Sequence, residues 1–217
     1  MLIPAVGSGP RMTRGRLITI EGLDGAGKTT LASALSTALS ERGIDVRMLR
    51  EPGGVPAGER VRELVKDPQL RIAPRAEALL YAAARAQLVD EAIEPMLEQG
   101  VWVVLDRFVD SSLAYQGGGR QLGVEDVAAI NDFATGGLRP DRTLLLILDP
   151  AVGRERSRSR GEPVDRLEAE DDDFFARIGS AYAQLLAQDP GRIRQIDASG
   201  SPEQVLDAAL SELADLL

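Results

Sequence analysis

The sequence predicts a three-layer α/β fold, in which helices cover both faces of a five-stranded parallel sheet. Three observations lead there. Apolar runs alternate with helical patterns along the chain, the arrangement that crossover helices impose on parallel strands. Two of those runs, residues 101–105 and 143–148, are continuously apolar, as strands covered on both faces are. Between the first apolar run and the first helical pattern stand Gly22-Leu23-Asp24-Gly25-Ala26-Gly27-Lys28-Thr29, which fit G-x-x-x-x-G-K-[ST].

Candidate strands are 17–21, 46–49, 101–105, 143–148 and a weaker 193–196. Residues 29–42 read as a helix with Leu31, Leu35 and Leu39 on one face and Gly43 just past its end. A helical pattern over 76–99 is expected to break near Pro95 and to stop at Gly100. Helices over 124–134 and 172–188 follow. The last begins with Ser201 as N-cap, Pro202 at the first position and Gln204 at the third. With no repeat and no long linker, residues 16–217 are read as one domain and 1–15 as a Gly/Pro-rich, flexible extension with no signal-peptide core.

Composition removes several chemistries. The 217 residues include no cysteine and no histidine, so disulfides, thiolate or imidazole zinc sites and Ser-His-Asp or Cys-His machinery are excluded. The lack of cysteine agrees with a cytoplasmic setting. No apolar run spans a bilayer, so no membrane partner is expected. A net charge of −9 argues against a nucleic-acid partner.

The glycine loop explains what remains. Its glycines allow backbone N–H groups to turn toward a phosphate, the helix N-terminus adds partial positive charge, Lys28 adds a full one, and the Thr29 hydroxyl suits Mg²⁺. A nucleoside triphosphate is the expected ligand. In an open α/β sheet, ligands lie beyond the carboxyl ends of the strands. Two further segments are expected on that rim. Arg50-Glu51-Pro52-Gly53-Gly54 can grip an acceptor phosphate or be a plain surface turn. Asp106-Arg107 can hold metal-bound water and a phosphate, or form a structural ion pair. Ser111, Tyr115 and Gln116, before three glycines, offer hydroxyls, a ring and an amide to a deoxyribose and base; the glycines fit a mobile connection equally. Tyr81 and Arg85, one helical turn apart, suit stacking and a base carbonyl, while a tyrosine at that spacing is also common in a core. Arg154, Arg156, Arg158 and Arg160 crowd one short stretch before Gly161, as expected of a lid over a polyphosphate.

Taken in order, GLDGAGKT, REPGG, DRFVDSSLAYQGGGR and RSRSRGEPVDRLE resemble bacterial thymidylate kinase, a P-loop nucleoside monophosphate kinase, from about Arg16 to the C-terminus. The resemblance implies transfer of a phosphoryl group from ATP to dTMP, with Mg²⁺, in a homodimer. It also implies roles. The loop from Gly22 to Thr29 would hold ATP, and Lys28, Arg156, Arg158 and Arg160 would neutralise developing charge. Arg50 and Arg107 would hold the dTMP phosphate, Tyr81 would stack on thymine, and Arg85 would address the base edge. Ser111, Tyr115 and Gln116 would line the nucleoside pocket, with Glu51 in the same acceptor turn. Asp24 would face the deoxyribose hydroxyl or a metal-bound water, and Thr29 and Asp106 would serve the metal. Val55 and Tyr81 stand where the family often has threonine and phenylalanine. Two rival readings stay open: a nucleoside kinase acting on thymidine with Glu51 as base, and a nucleotide-dependent switch.

Overall fold

The computed structural model describes residues 13–159 and 165–217, with Ser157 and Arg158 by backbone alone. Five parallel strands form one sheet: β1 (Leu17–Gly22), β2 (Val46–Arg50), β3 (Trp102–Asp106), β4 (Arg142–Ile147) and β5 (Ile193–Asp197), in the spatial order β2-β3-β1-β4-β5. The register pairs Arg50 with Asp106 and Ile20 with Asp106, so β1, β2 and β3 end together.

Side chains alternate across β1. Ile18 and Ile20 face one layer, where Leu31, Leu35 and Leu39 of helix α1 (Lys28–Glu41) meet Val205 and Ala209 of α9 (Pro202–Ser211). Leu17, Thr19 and Glu21 face the other layer, reached by period two. That layer is filled by Leu88, Ile93 and Phe108 on one side and by Phe174, Ile178 and Tyr182 of α8 (Asp172–Gln188) on the other. The residues in these clusters are buried, each Leu, Ile, Val or Phe side chain contributing roughly 1.5–3 kcal/mol. Ser201 caps α9 in a full capping box with Gln204, as its sequence implies.

The structure departs from sequence expectation in four places. Residues 56–66 form a helix, α2 (Pro56–Lys66), that the sequence reading does not include, although Val61, Leu64 and Val65 fall on one face among charged residues. The helix expected over 76–99 is α3 (Pro74–Leu88), a π-helical stretch Val89–Ile93, and α4 (Glu94–Glu98). The distortion thus lies ahead of Pro95, because the proline ring crowds the carbonyl four residues before it and a widened turn absorbs the clash. The glycine-rich stretch after Asp106 is helical, not a mobile connection: α5 (Val109–Ser112) runs into a π-helical segment, Leu113–Gly119. Its glycines permit close approach. A Cβ on Gly118 would lie 2.6 Å from the Ala181 Cβ, and one on Gly119 would lie 2.7 Å from the Phe174 ring. Last, the expected extension through Gly15 ends earlier: Gly15 N donates to Leu97 O at 2.8 Å and Arg14 pairs with Glu94 at 2.6 Å. Residues 1–12 of that extension lie outside the described residues.

Helices α6 (Val124–Thr135) and α7 (Pro150–Ser159) complete the description. Among the described residues no helix is long and apolar enough to cross a membrane.

Candidate active site

Chain direction puts the phosphate loop at the end of the central strand β1. Gly25 (φ +79°) and Gly27 (φ +93°) take backbone angles that favour glycine, which turns the chain sharply into α1. No side chain caps the start of α1, so its first N–H groups face the loop as an anion cradle. Lys28 is buried, and its Nζ donates to Leu23 O at 2.8 Å with Asp24 Oδ1 at 3.7 Å. Burial first, and then the Arg107 charge, lower its amine to about 8 against the pull of Asp24, Asp106 and Glu21. A bound polyphosphate restores what burial removes.

Thr29 Oγ1 donates to Asp106 Oδ2 at 2.6 Å, so the two expected metal ligands meet. Among the described residues, no group of three or more acidic side chains gathers as a dedicated metal cage. One hydroxyl and one carboxylate at a phosphate cradle fit Mg²⁺, which keeps waters and takes further oxygens from phosphate.

Arg107 joins the two halves of the rim. Its Nη2 donates to Asp24 Oδ1 at 2.6 Å and to Tyr115 Oη at 3.1 Å, and its Nη1 donates to Ser111 Oγ at 3.0 Å and Gly22 O at 3.2 Å. The guanidinium also lies 4.9 Å from the Tyr115 ring centre. Its backbone sits at φ +70°, a strained angle for a side-chain-bearing residue, held by the contacts around it. Burial alone raises the Asp24 carboxyl, but Arg107 and then Lys28 outweigh it and hold Asp24 well below the usual carboxylate range.

On the acceptor side, the structure separates residues that reach the rim from residues that frame it. Arg50 is exposed, and Nη2 donates to both oxygens of Glu59 at 3.2 Å. Tyr81 is half-buried. Arg85 differs from expectation. Its Nε and Nη2 donate to Glu51, Nη1 to Ser112 and Asn131, and Nη2 also to Phe108 O. All five N–H groups are taken inside the chain, so Arg85 frames the pocket wall and has no donor left for a base edge. Glu51 is correspondingly internal: burial raises its carboxyl, opposed by Arg85. Gln116 is also a framing residue here, its amide N–H donating to Glu77 at 2.8 Å. Ser111 is buried and donates to Glu21 at 2.5 Å.

The arginine-rich stretch divides. Arg156, expected beside the transferred phosphate, instead donates to Ala198 O at 3.2 Å and lines a cavity of about 260 Å³ with Ala26, Ala34, Ala198, Pro202 and Val205. That cavity opens beside the phosphate loop, lined in part by Gly25, Ala26 and Gly27. Arg154 pairs with Asp172 at 3.1 Å. The Arg158 side chain, Arg160 and Gly161 lie outside the described residues. Gly153 of α7 rests on the loop: a Cβ on Gly25 would lie 1.9 Å from Gly153 O.

Sequence reasoning missed three residues. Glu21, at the end of β1, accepts from Phe108 N at 2.8 Å, Ser111 Oγ and Tyr182 Oη at 3.0 Å. Glu59 holds Arg50, and Glu77 gathers Gln116 and two arginines. No local signal marks Glu21 and Glu77, because their partners come from distant segments, while Glu59 meets Arg50 from nine positions away across the turn before α2.

The family model for thymidylate kinase matches residues 20–209, spanning the loop, the Asp106-Arg107 turn and α8. Curated relatives agree over nearly their whole length. A thymidylate kinase of Alkalilimnicola ehrlichii is 50% identical over 206 residues, covering 94% of each chain. One from Halorhodospira halophila is 49% identical over 206 residues, covering 94% of this chain and 96% of the relative. One from Deinococcus radiodurans is 48% identical over 199 residues, covering 92% and 96%. With a phosphate cradle at the end of β1, an arginine spanning the rim and likeness over almost the full chain, this protein belongs to the thymidylate kinase family.

Proposed function

We propose that the chain, working as one kinase domain over residues 16–217, transfers the terminal phosphoryl group of ATP to dTMP, giving ADP and dTDP. The observation that carries this reading is Arg107, one cation held between Asp24 of the phosphate loop and Ser111 and Tyr115 of the acceptor segment. A phosphate oxygen of dTMP attacks the γ-phosphorus, the bond from that phosphorus to the β–γ bridging oxygen breaks, and ADP leaves. The attacking group is already anionic, so no strong base is required; alignment and charge stabilisation do the catalysis.

Loop N–H groups and Lys28 hold the donor phosphates, and the cavity lined by Arg156 and Ala198 takes the base. Thr29 and Asp106 would hold Mg²⁺, which when bound neutralises charge on the β- and γ-phosphates. Arg107 meets the acceptor phosphate, with Asp24 fixing its angle. Arg50 is the second acceptor arginine, and the phosphate replaces Glu59 on it. Tyr81 offers its ring to thymine, while Arg85, Glu51 and Gln116 hold the wall behind it. The chain works in the cytoplasm, in keeping with its lack of cysteine, and as a homodimer, supported by Phe133, 92% exposed on α6.

Phosphorylation of thymidine itself is disfavoured, because Glu51, the base it would need, is paired internally with Arg85 at 2.5 Å. The test offers dTMP, dUMP, dCMP, dGMP, UMP and thymidine with ATP and Mg²⁺. Turnover is expected with dTMP first, and Arg107→Ala should lower it by about 10²–10³-fold, as loss of one preorganised charge-stabilising donor does. Turnover of thymidine in the absence of monophosphate would overturn the reading, as would ATP hydrolysis indifferent to every monophosphate.

A further inference from the structure

Glu77 takes no part in the chemistry above, yet it is the meeting point of the acceptor and donor halves. It lies in the first turn of α3, is wholly shielded from solvent, and carries three cationic or amide donors. Gln116 Nε2 reaches it at 2.8 Å, Arg120 at 3.1–3.3 Å and Arg166 Nη1 at 2.7 Å. The donors come from two places. Gln116 belongs to the π-helical segment that also supplies Tyr115, and Arg120 follows it directly. Arg166 belongs to the stretch Asp165–Glu170 that leads into α8, whose Asp172 pairs at 3.1 Å with Arg154 of α7, the helix resting on the phosphate loop through Gly153.

The return stretch is tied in further. Arg166 Nε donates to Val65 O at 3.0 Å, Asp165 pairs with Lys66 at 3.0 Å, and Glu170 pairs with Arg120 at 2.5 Å. Tyr81 follows Glu77 by one turn of α3 and Arg85 by two. One buried carboxylate thus joins the stretch beyond the donor-side helix to the helix that presents the acceptor residues. A buried charge between two guanidinium groups is costly to leave half-paired, so its partners hold one arrangement together.

We propose that Glu77 is a positioning residue that couples donor to acceptor binding, with Arg166 as the donor-side link and Gln116 and Arg120 as the acceptor-side links. The proposal rests on the kinase reading above. A donor held between the phosphate loop and Arg156 steadies α7 and, through Arg154 and Asp172, the stretch Asp165–Glu170 that leads into α8. Through Arg166 that ordering reaches α3, so the acceptor meets a pocket wall already set. Coupling of this kind is reciprocal, each ligand tightening the other by the same factor.

The test is calorimetry of a non-hydrolysable ATP analogue with Mg²⁺, with and without saturating dTMP, on the wild type, Glu77→Gln, Arg166→Met and Arg166→Lys. Wild type is expected to bind the analogue at least about fivefold tighter when dTMP is present, the lower end of ordinary coupling. In Glu77→Gln and Arg166→Met that factor should fall toward one, with partial recovery in Arg166→Lys. Should Glu77→Gln fail to fold, Arg166→Met carries the test, since it leaves Glu77 with Arg120 and Gln116. A purely structural role would shift the melting temperature and both affinities while leaving the factor intact, and that result overturns the proposal. No coupling in the wild type overturns it too. If wild type converts dTMP to dTDP while the factor is unmoved in the variants, only this inference falls. If it does not convert dTMP, the kinase reading falls and takes the inference with it.

Discussion

At the scale of single residues, the phosphate loop separates two kinds of demand on glycine. Gly27 has φ +93° and open space around its missing Cβ, whereas Gly25 has φ +79° and the Gly153 carbonyl 1.9 Å from where a Cβ would stand. Gly27→Ala should therefore lower unfolding free energy by only about 1–2 kcal/mol, the ordinary strain of a left-handed side chain. Gly25→Ala must also push α7 off the loop, so its loss should be clearly larger. Urea unfolding of both variants decides this, and equal losses would mean that the contact with Gly153 is easily relieved. The loop itself was legible from the spacing of its glycines and lysine. The partners that fix its neighbours were not: Glu21, Glu59 and Glu77 look like solvated acids in sequence. Their partners lie at Ser111, 90 positions from Glu21, at Arg50, nine from Glu59, and at Arg166, 89 from Glu77.

Among elements, the strands were legible because their apolar runs are bounded by polar turns, and β1 to β3 end where the rim was expected. Helix α2 was hidden because its three apolar residues, Val61, Leu64 and Val65, though on one face, are few among many charges. The segment Leu113–Gly119 was hidden for the opposite reason. Its glycines read as a loop, yet they let a widened helix lie close to α8. Glu21 joins three of these elements, the end of β1, the start of α5 and Tyr182 of α8. Burial and then the Asp110 charge push its carboxyl up to about 7, against the Ser111 hydroxyl, Arg107 and Phe108 N. A carboxyl that holds its proton more tightly when folded leaves stability undiminished below about pH 4.5, its ordinary value. Stability then falls as pH rises to about 7, by on the order of 3 kcal/mol, and the loss is complete above that. Glu21→Gln removes this dependence. Its stability relative to the wild type should be more favourable at pH 8 than at pH 5, and urea unfolding at both values that gave one unchanging difference would refute the assignment.

For the molecule as a whole, the surface of α3 and α6 bears on how copies associate. Phe133 stands 92% exposed on α6, and Leu79 is 56% exposed on α3, which packs beside it. An aromatic side chain so exposed in a folded domain suits a contact with a second copy. Sedimentation at micromolar concentration should give a dimer, and Phe133→Arg should shift it toward monomer without lowering the melting temperature of the fold. A wild-type monomer, or an undisturbed dimer in the variant, would remove Phe133 from the interface.

The touching backbones of Gly25 and Gly153 have a consequence for how such an enzyme can diverge. Where two stretches of one backbone meet with no side chains between them, substitution has nothing to adjust at the joint itself. On the proposed reading, a change in the preferred phosphoryl donor is expected to arise around that seam, at positions such as Ala34, Ala198 and Val205.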